Sequence, residues 1–253
     1  MSEAKKTYCR VYIESRHRPS HQSNPSNFTY ELNTQFRNVT KVAITDVNIV
    51  NSQYNINSTN NTIKILEDTP NTFTASIPIG DYAYDELATE LQTQLNAEGG
   101  FTYTVSTDPQ SKTFTIDGGV GNTIRIYENG TTIDTVLGFT QASGGYYNTA
   151  SQTATSDNLW DLTGLRNVYI LSPSFPIKSI LKNQFMNVIQ KVTLGSFGTQ
   201  SVSDGNRDRL DFINLPENVN VSQVKLILLD KNLQELDSNQ LEWSCILHLV
   251  GEV

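Results

Sequence analysis

In many short stretches of this chain, apolar residues recur at every second position. Residues 7–13 alternate and are rich in Tyr and Val; residues 27–32 alternate again, with Phe28, Tyr30 and Leu32 on one face. This period is that of a strand with one face buried. Residues 39–50 form the longest such run, with apolar positions at Val39, Val42, Ile44, Val47 and Ile49. The parity changes inside that run, which predicts a β-bulge or a corner between two strands. Residues 51–61 contain five Asn and read as turns, because Asn tolerates left-handed backbone. Short strands are predicted at 62–66 and 72–77, and later at 167–171, 188–194, 210–213, 224–229 and 243–250. Residues 175–185 stay open, with Pro173 and Pro176 arguing for a loop ahead of any short helix.

One segment breaks the period. Leu87, Leu91 and Leu95 stand at i, i+4 and i+8, with Tyr84 and Ala88 on the same side, which predicts an amphipathic helix. Asp85 and Glu86 fall in its first turn, where negative charge suits the helix dipole. Gly99-Gly100 supplies a stop. Strands at 101–105, 113–116 and 123–127 follow, separated by Asp108-Pro109 and Gly118-Gly119 and closed by Asn129-Gly130. Residues 141–158 are poor in large aliphatics and rich in Ser, Thr, Gly and Ala, and read as a linker. The expected chain is therefore mainly β: a sandwich made by residues 1–71 and 141–253, carrying a small inserted α+β domain, β-α-β-β-β, at residues 72–140.

Composition fits that picture. At 253 residues the chain is long enough to bury a core without staples. Charged residues are 17% and hydrophobic ones 37%; the balance is largely Asn, Thr, Ser and Gln, which suits sheets with a solvated face. A net charge of −8 argues against strong nucleic-acid binding, which needs a dense cationic surface. The basic excess in the first eighteen residues (Lys5, Lys6, Arg10, Arg16, Arg18) reads as a solvated terminus. No signal peptide opens the chain, and no apolar run is long enough to span a bilayer, so no membrane insertion is expected. Cys9 and Cys245 make neither a disulfide framework nor a zinc site and are expected as two free thiols.

The chemistry-bearing residues point to no catalytic site. Asp81, Asp85 and Glu86 cluster at the helix start, where capping electrostatics accounts for them. Residues 204–215 open like a calcium loop with Asp204, Asn206 and Asp208, but Arg209 replaces the turn glycine and Leu215 the closing Glu. His17 and His21 have a helical ligand spacing, yet Pro19 lies between them. Among the aromatics, Trp243 reads as core, while Tyr146 and Tyr147, in a Gly-rich loop, are the candidate exposed contacts, with Trp160 as a further stacking group. No enzyme activity, cofactor or metal is expected.

Several stretches share their order with a known group. They are Val11-Tyr12-Ile13-Glu14-Ser15-Arg16-His17-Arg18, then Pro25-Ser26-Asn27-Phe28-Thr29-Tyr30-Glu31-Leu32, and Phe36 to Ile44 leading to Tyr54-Asn55-Ile56-Asn57. Ile77-Pro78-x-Gly80-x-Tyr82 before the Leu-rich helix, Leu137-Gly138-Phe139, and Glu242-Trp243-Ser244 continue the pattern. Together these resemble the penton or minor capsid proteins of virophages, Polinton-like viruses and related large double-stranded DNA viruses. The resemblance implies an antiparallel jelly roll with an inserted domain. It also implies a homopentamer at the five-fold vertices of an icosahedral virion, beside major capsid protein trimers, assembled in the host cytoplasm or virus factory. A minor cement or adaptor protein and a host-attachment, carbohydrate-binding sandwich are the other readings. A jelly roll makes its first and last core strands neighbours, so Cys9 and Cys245 are expected to approach each other. Ala83 stands where such sequences often carry a Thr or Ser helix cap.

Overall fold

The computed structural model describes residues 7–68, 70–203 and 211–252. The chain divides into two compact units, residues 1–53 with 165–253, and residues 54–164. In chain order the strands of the first unit begin with β1 (Thr7–Glu14) and β2 (Asn27–Val50). The second unit follows with β3 (Thr62–Glu67), β4 (Asn71–Ser76), α1 (Tyr84–Glu98), β5 (Thr104–Asp108), β6 (Thr113–Asp117), β7 (Ile124–Ile126), α2 (Asp134–Leu137) and β8 (Thr153–Thr155). The first unit resumes with β9 (Asn167–Leu171), β10 (Ser179–Leu181), β11 (Gln184–Met186), β12 (Val188–Thr193), β13 (Gln200–Ser203), β14 (Ile213–Leu229) and β15 (Ser244–Glu252).

The first unit is an antiparallel jelly-roll sandwich, and β2 is what makes it one. β2 pairs with β14 along its N-terminal half and on into its middle, from Asn27 opposite Ile227, through Phe36 opposite Val221, to Val42 opposite Ile213. Its C-terminal half pairs with β15 and, at Val47–Val50, with β13. One layer is thus β1–β15–β2–β13 and the other β2–β14–β9–β12, joined by the strand they share. The inward residues of both layers form a single core. It runs from Ile13, Val42, Ile44, Val47, Leu247 and Leu249 in one layer to Phe28, Val168, Ile170, Val224, Leu226 and Leu228 in the other.

The parity change in β2 comes from extra residues at two places. From Asn48 to Thr45 the strand takes three steps while β15 takes two, Ser244 to Ile246; the extra residue lies at Asp46, in left-handed backbone with φ 48°. From Lys41 to Arg37 it takes four steps against two, so two extra residues lie there, around Asn38 with φ 49°. A single inserted residue flips which parity faces inward. Two close together flip it and restore it, with Val39 between them. Val39, the pair Val42 and Ile44, and the pair Val47 and Ile49 therefore all reach the core. The runs expected at 27–32 and 39–50 are one continuous strand.

The second unit has its own core. Sheets β4–β3–β7 and β5–β6–β8 pack with α1, whose Leu87, Leu91 and Leu95 are wholly buried. Each such leucine contributes roughly 1.5–3 kcal/mol relative to exposure. Ala83 occupies the N-cap without a side-chain bond; only the reciprocal half of a capping box forms, with Ala83 N–H donating to Glu86 Oε2 at 2.9 Å. Gly99 ends α1 with φ −86°, so it is not needed for left-handed backbone. A Cβ there would sit 2.8 Å from both Glu67 Oε1 and the Tyr103 ring.

The structure corrects several expectations. The second unit spans 54–164 rather than 72–140, because β3 pairs with both β4 and β7 and belongs to its core. Residues 141–158 are not a linker: Thr153–Thr155 adds strand β8 to β6, with Ala154 buried. An edge strand needs only backbone partners, so a composition poor in aliphatics does not reveal it. Residues 175–185 hold no helix; they lead into the β10–β11 hairpin. β13 has no signal in the alternation. The calcium-like stretch at 204–210 lies outside the described residues. Cys9 and Cys245 do lie on paired strands, but Cys9 faces Leu249 and Cys245 faces Ile13. Four residues of strand separate them, roughly 13 Å, beyond disulfide reach.

Gly138 carries the tightest glycine constraint in the second unit. It caps α2 in left-handed backbone, φ 91°, and its N–H donates to Asp134 O at 2.9 Å. A Cβ there would overlap the Asn158 carbonyl oxygen. Gly138→Ala is expected to destabilise this unit by about 3 kcal/mol or more, combining steric overlap with backbone strain. Gly121→Ala, at φ 86° with nothing within 4 Å of the new Cβ, should cost about 1 kcal/mol. Denaturant unfolding of the two variants measures the difference.

Candidate functional surfaces and buried polar clusters

The carboxylates at the start of α1 are engaged in the helix terminus. Glu86 accepts from Ala83 N–H, and Asp85 Oδ1 accepts from Glu86 N–H at 3.1 Å. Burial raises the Asp81 pKa, with the Asn55 backbone opposing and Glu86 adding to it. His17 ends a single 3-10 turn, Ser15–His17, and His21 lies in the following turn. No helix carries them. Among the described residues, no group of three or more His, Cys, Asp or Glu is placed to hold a metal ion.

The candidate contact aromatics Tyr146 and Tyr147 are half-buried, not exposed. The local chain is a tight turn at Gly144 and Gly145, both with positive φ. Ser143 N–H donates to Tyr146 O at 2.8 Å, closing that turn. The turn returns Tyr146 beside Tyr127, with ring centroids 4.6 Å apart. The Arg125 guanidinium covers the Tyr146 ring at 4.9 Å. Tyr147 packs against the core of the second unit, and its hydroxyl donates to Asp134 Oδ2 at 2.7 Å. Burial, then that bond, raises the Tyr147 pKa. Trp160 stacks on Tyr84 at 5.0 Å and meets Phe114 edge-on. Each of these rings already has partners within its unit, because the turn and the helix start bring aromatics together. Trp243 is core, as its alternating strand predicts, and its Nε1–H donates to Pro25 O at 2.7 Å.

Three polar clusters, each with at least one buried member, lie apart from the candidate contact residues. In the first, Glu67 is 5% exposed and its carboxylate accepts from Gly100 N–H, Phe101 N–H and Tyr103 O–H. It ties the end of β3 to the exit of α1. Burial and the Glu67 contact raise the Tyr103 pKa. A signal is present in the chain: Glu67 continues the inward parity of Ile63 and Ile65. In the second, Arg18 Nη1 donates to both Glu242 oxygens, at 2.7 and 2.8 Å, and to Ser15 O. Buried Ser15 donates to Glu242 and accepts from Trp243 N–H. Burial works to raise the Glu242 pKa, but Arg18 and Ser15 outweigh it and the net direction is down.

The third cluster is a directed chain across β1, β15 and β2. Arg10 Nε donates to the Tyr8 hydroxyl at 3.0 Å. The Tyr8 hydroxyl and His248 Nδ1 lie 2.5 Å apart, and His248 Nε2 and Thr45 Oγ1 2.6 Å apart. Thr45 Oγ1 donates to Asp46 Oδ2 at 3.0 Å. A carboxylate only accepts, so the Thr45 hydroxyl points at Asp46 and receives Nε2–H. In the neutral imidazole that leaves Nδ1 to accept the Tyr8 proton. Burial lowers the His248 pKa, Arg10 adds to the lowering, and Asp46 opposes it. Cys245, on the core side of the same strand, is fully buried, and its thiol is pushed up to about 12.

A histidine held below its ordinary pKa of 6.5 favours the folded state above that pH. As pH falls through the ordinary histidine range the unfolded chain binds the proton first, so stability is lost. Wild type is expected to lose more stability than His248→Gln between about pH 7 and pH 5. Denaturant midpoints at the two pH values check this; parallel losses would refute it.

No curated protein matches the sequence. A crystal structure of the selenomethionine-labelled mavirus penton protein has a similar fold, with a TM-score of 0.58 over 98% of this chain and 99% of that one, at 11% identity. No helix among the described residues is long and apolar enough to cross a membrane. The model of a family of unknown function, DUF5901, matches residues 3–221, and the chain belongs to that family.

Proposed function

We propose that this chain is a structural capsid protein: a penton subunit, five copies of which close the vertex of an icosahedral virion beside major capsid protein trimers. The observation that carries this reading is the end-to-end likeness of fold to the mavirus penton protein, covering nearly all of both chains. A domain recruited from an unrelated context would be matched over the sandwich alone. Five-fold closure needs heterologous contacts, in which two different faces of each subunit meet. A rigid two-layer body supplies such faces without any reactive group. The carbohydrate-binding alternative loses its specific support, since Tyr146, Tyr147 and Trp160 are engaged within their own unit.

Native mass spectrometry at rising protein concentration, together with particle imaging, tests the proposal. Five-copy rings, and density for the chain on five-fold axes, are expected. Density away from those axes, or a trimer as the saturating species, would overturn it.

A further inference from the structure

The hairpin β10–β11 presents two large apolar side chains to solvent. Ile180 is 68% exposed and Phe185 79% exposed. They are direct cross-strand partners, so they stand side by side on one face of the ribbon. Scattered exposed apolar residues are ordinary, but a paired Ile and Phe make a patch. Among the described residues the two strands pair only with each other, as a sheet of their own.

The patch is held in a fixed geometry. Lys182 and Asn183 form the turn, both in left-handed backbone at φ 48° and 62°, the conformation of a type I′ turn that matches strand twist. Ser179 Oγ donates to Val188 O at 2.9 Å and Lys182 Nζ to Asn232 Oδ1 at 3.4 Å. The turn and the Ser179 bond shape the ribbon before any partner arrives, which lowers the entropy cost of docking.

Charge indicates the partner. Residues 162–203 contain Arg166, Lys178, Lys182 and Lys191 and no Asp or Glu. Residues 54–164 hold three of the 18 cations and 13 of the 26 carboxylates, a net of −10, leaving +2 for the rest of the chain. A second copy therefore offers acidic surface to a cationic, apolar hairpin. Polyphosphate partners need a denser cationic face than four residues and are repelled by a net charge of −8.

We propose that the β10–β11 hairpin docks one copy of this chain onto the next, with Ile180 and Phe185 entering an apolar surface rimmed by carboxylates on the neighbour. This rests on the pentameric reading. Sedimentation velocity compares wild type with Ile180→Thr/Phe185→Thr, which keeps strand propensity and removes the patch. The double variant is expected to assemble with about 100-fold weaker affinity or worse, at an unchanged thermal midpoint. A photoreactive phenylalanine analogue at position 185 is expected to crosslink two copies, which tests the contact without removing the ring. Assembly that survives the double substitution, with no crosslink, overturns the hairpin and leaves the pentamer standing. A wild type monomeric at every concentration overturns the pentamer and self-docking together. Flotation with anionic vesicles, or retention of an oligonucleotide, that is lost in the double variant would assign the patch to another occupant and overturn the proposal.

Discussion

The first unit depends on how one strand serves two sheets. A straight strand of 24 residues would keep one parity inward and leave the second layer without a core face. The extra residues around Asn38 and at Asp46 reset that parity. They also bend the strand, since a bulge raises local twist. Val39, Val42, Ile44, Val47 and Ile49 all become buried as a result. Removing an inserted residue would turn part of this set outward, and the layers would lose the apolar surface that holds them together.

The second unit solves a different problem. Its sheets are short, three strands each, and a small sheet needs a partner to bury one face. The leucine stripe of α1 provides it. Polar devices then fix the connections: Glu67 gathers the donors where α1 ends. Asn55 Nδ2 donates to Tyr82 O, and Asn55 Oδ1 accepts from Tyr82 N–H. Buried polar groups of this kind are satisfied or costly, so each specifies one arrangement.

Charge is distributed as unevenly as structure. The sandwich unit is close to neutral, and residues 54–164 carry the acidity. In an assembly of identical copies, contacts that bring two acidic units together are opposed by repulsion. A contact between the cationic hairpin and a neighbour's carboxylates is favoured by the same field.

The alternation of apolar residues determined most strands of the sandwich, and the spacing of Leu87, Leu91 and Leu95 determined α1, because both periods follow from local backbone geometry. The parity change even located a bulge. Tertiary structure decided what local chemistry leaves open. Thr153–Thr155 became a strand because β6 had an open edge. Glu67 became a buried acceptor because three donors converge on it. Tyr146, Tyr147 and Trp160 became half-buried because other groups of their unit reach them. Cys9 and Cys245 stayed apart because register, which depends on the whole sheet, set them four residues out of line. Pairing, burial and register depend on residues distant in sequence, and no single segment carries them.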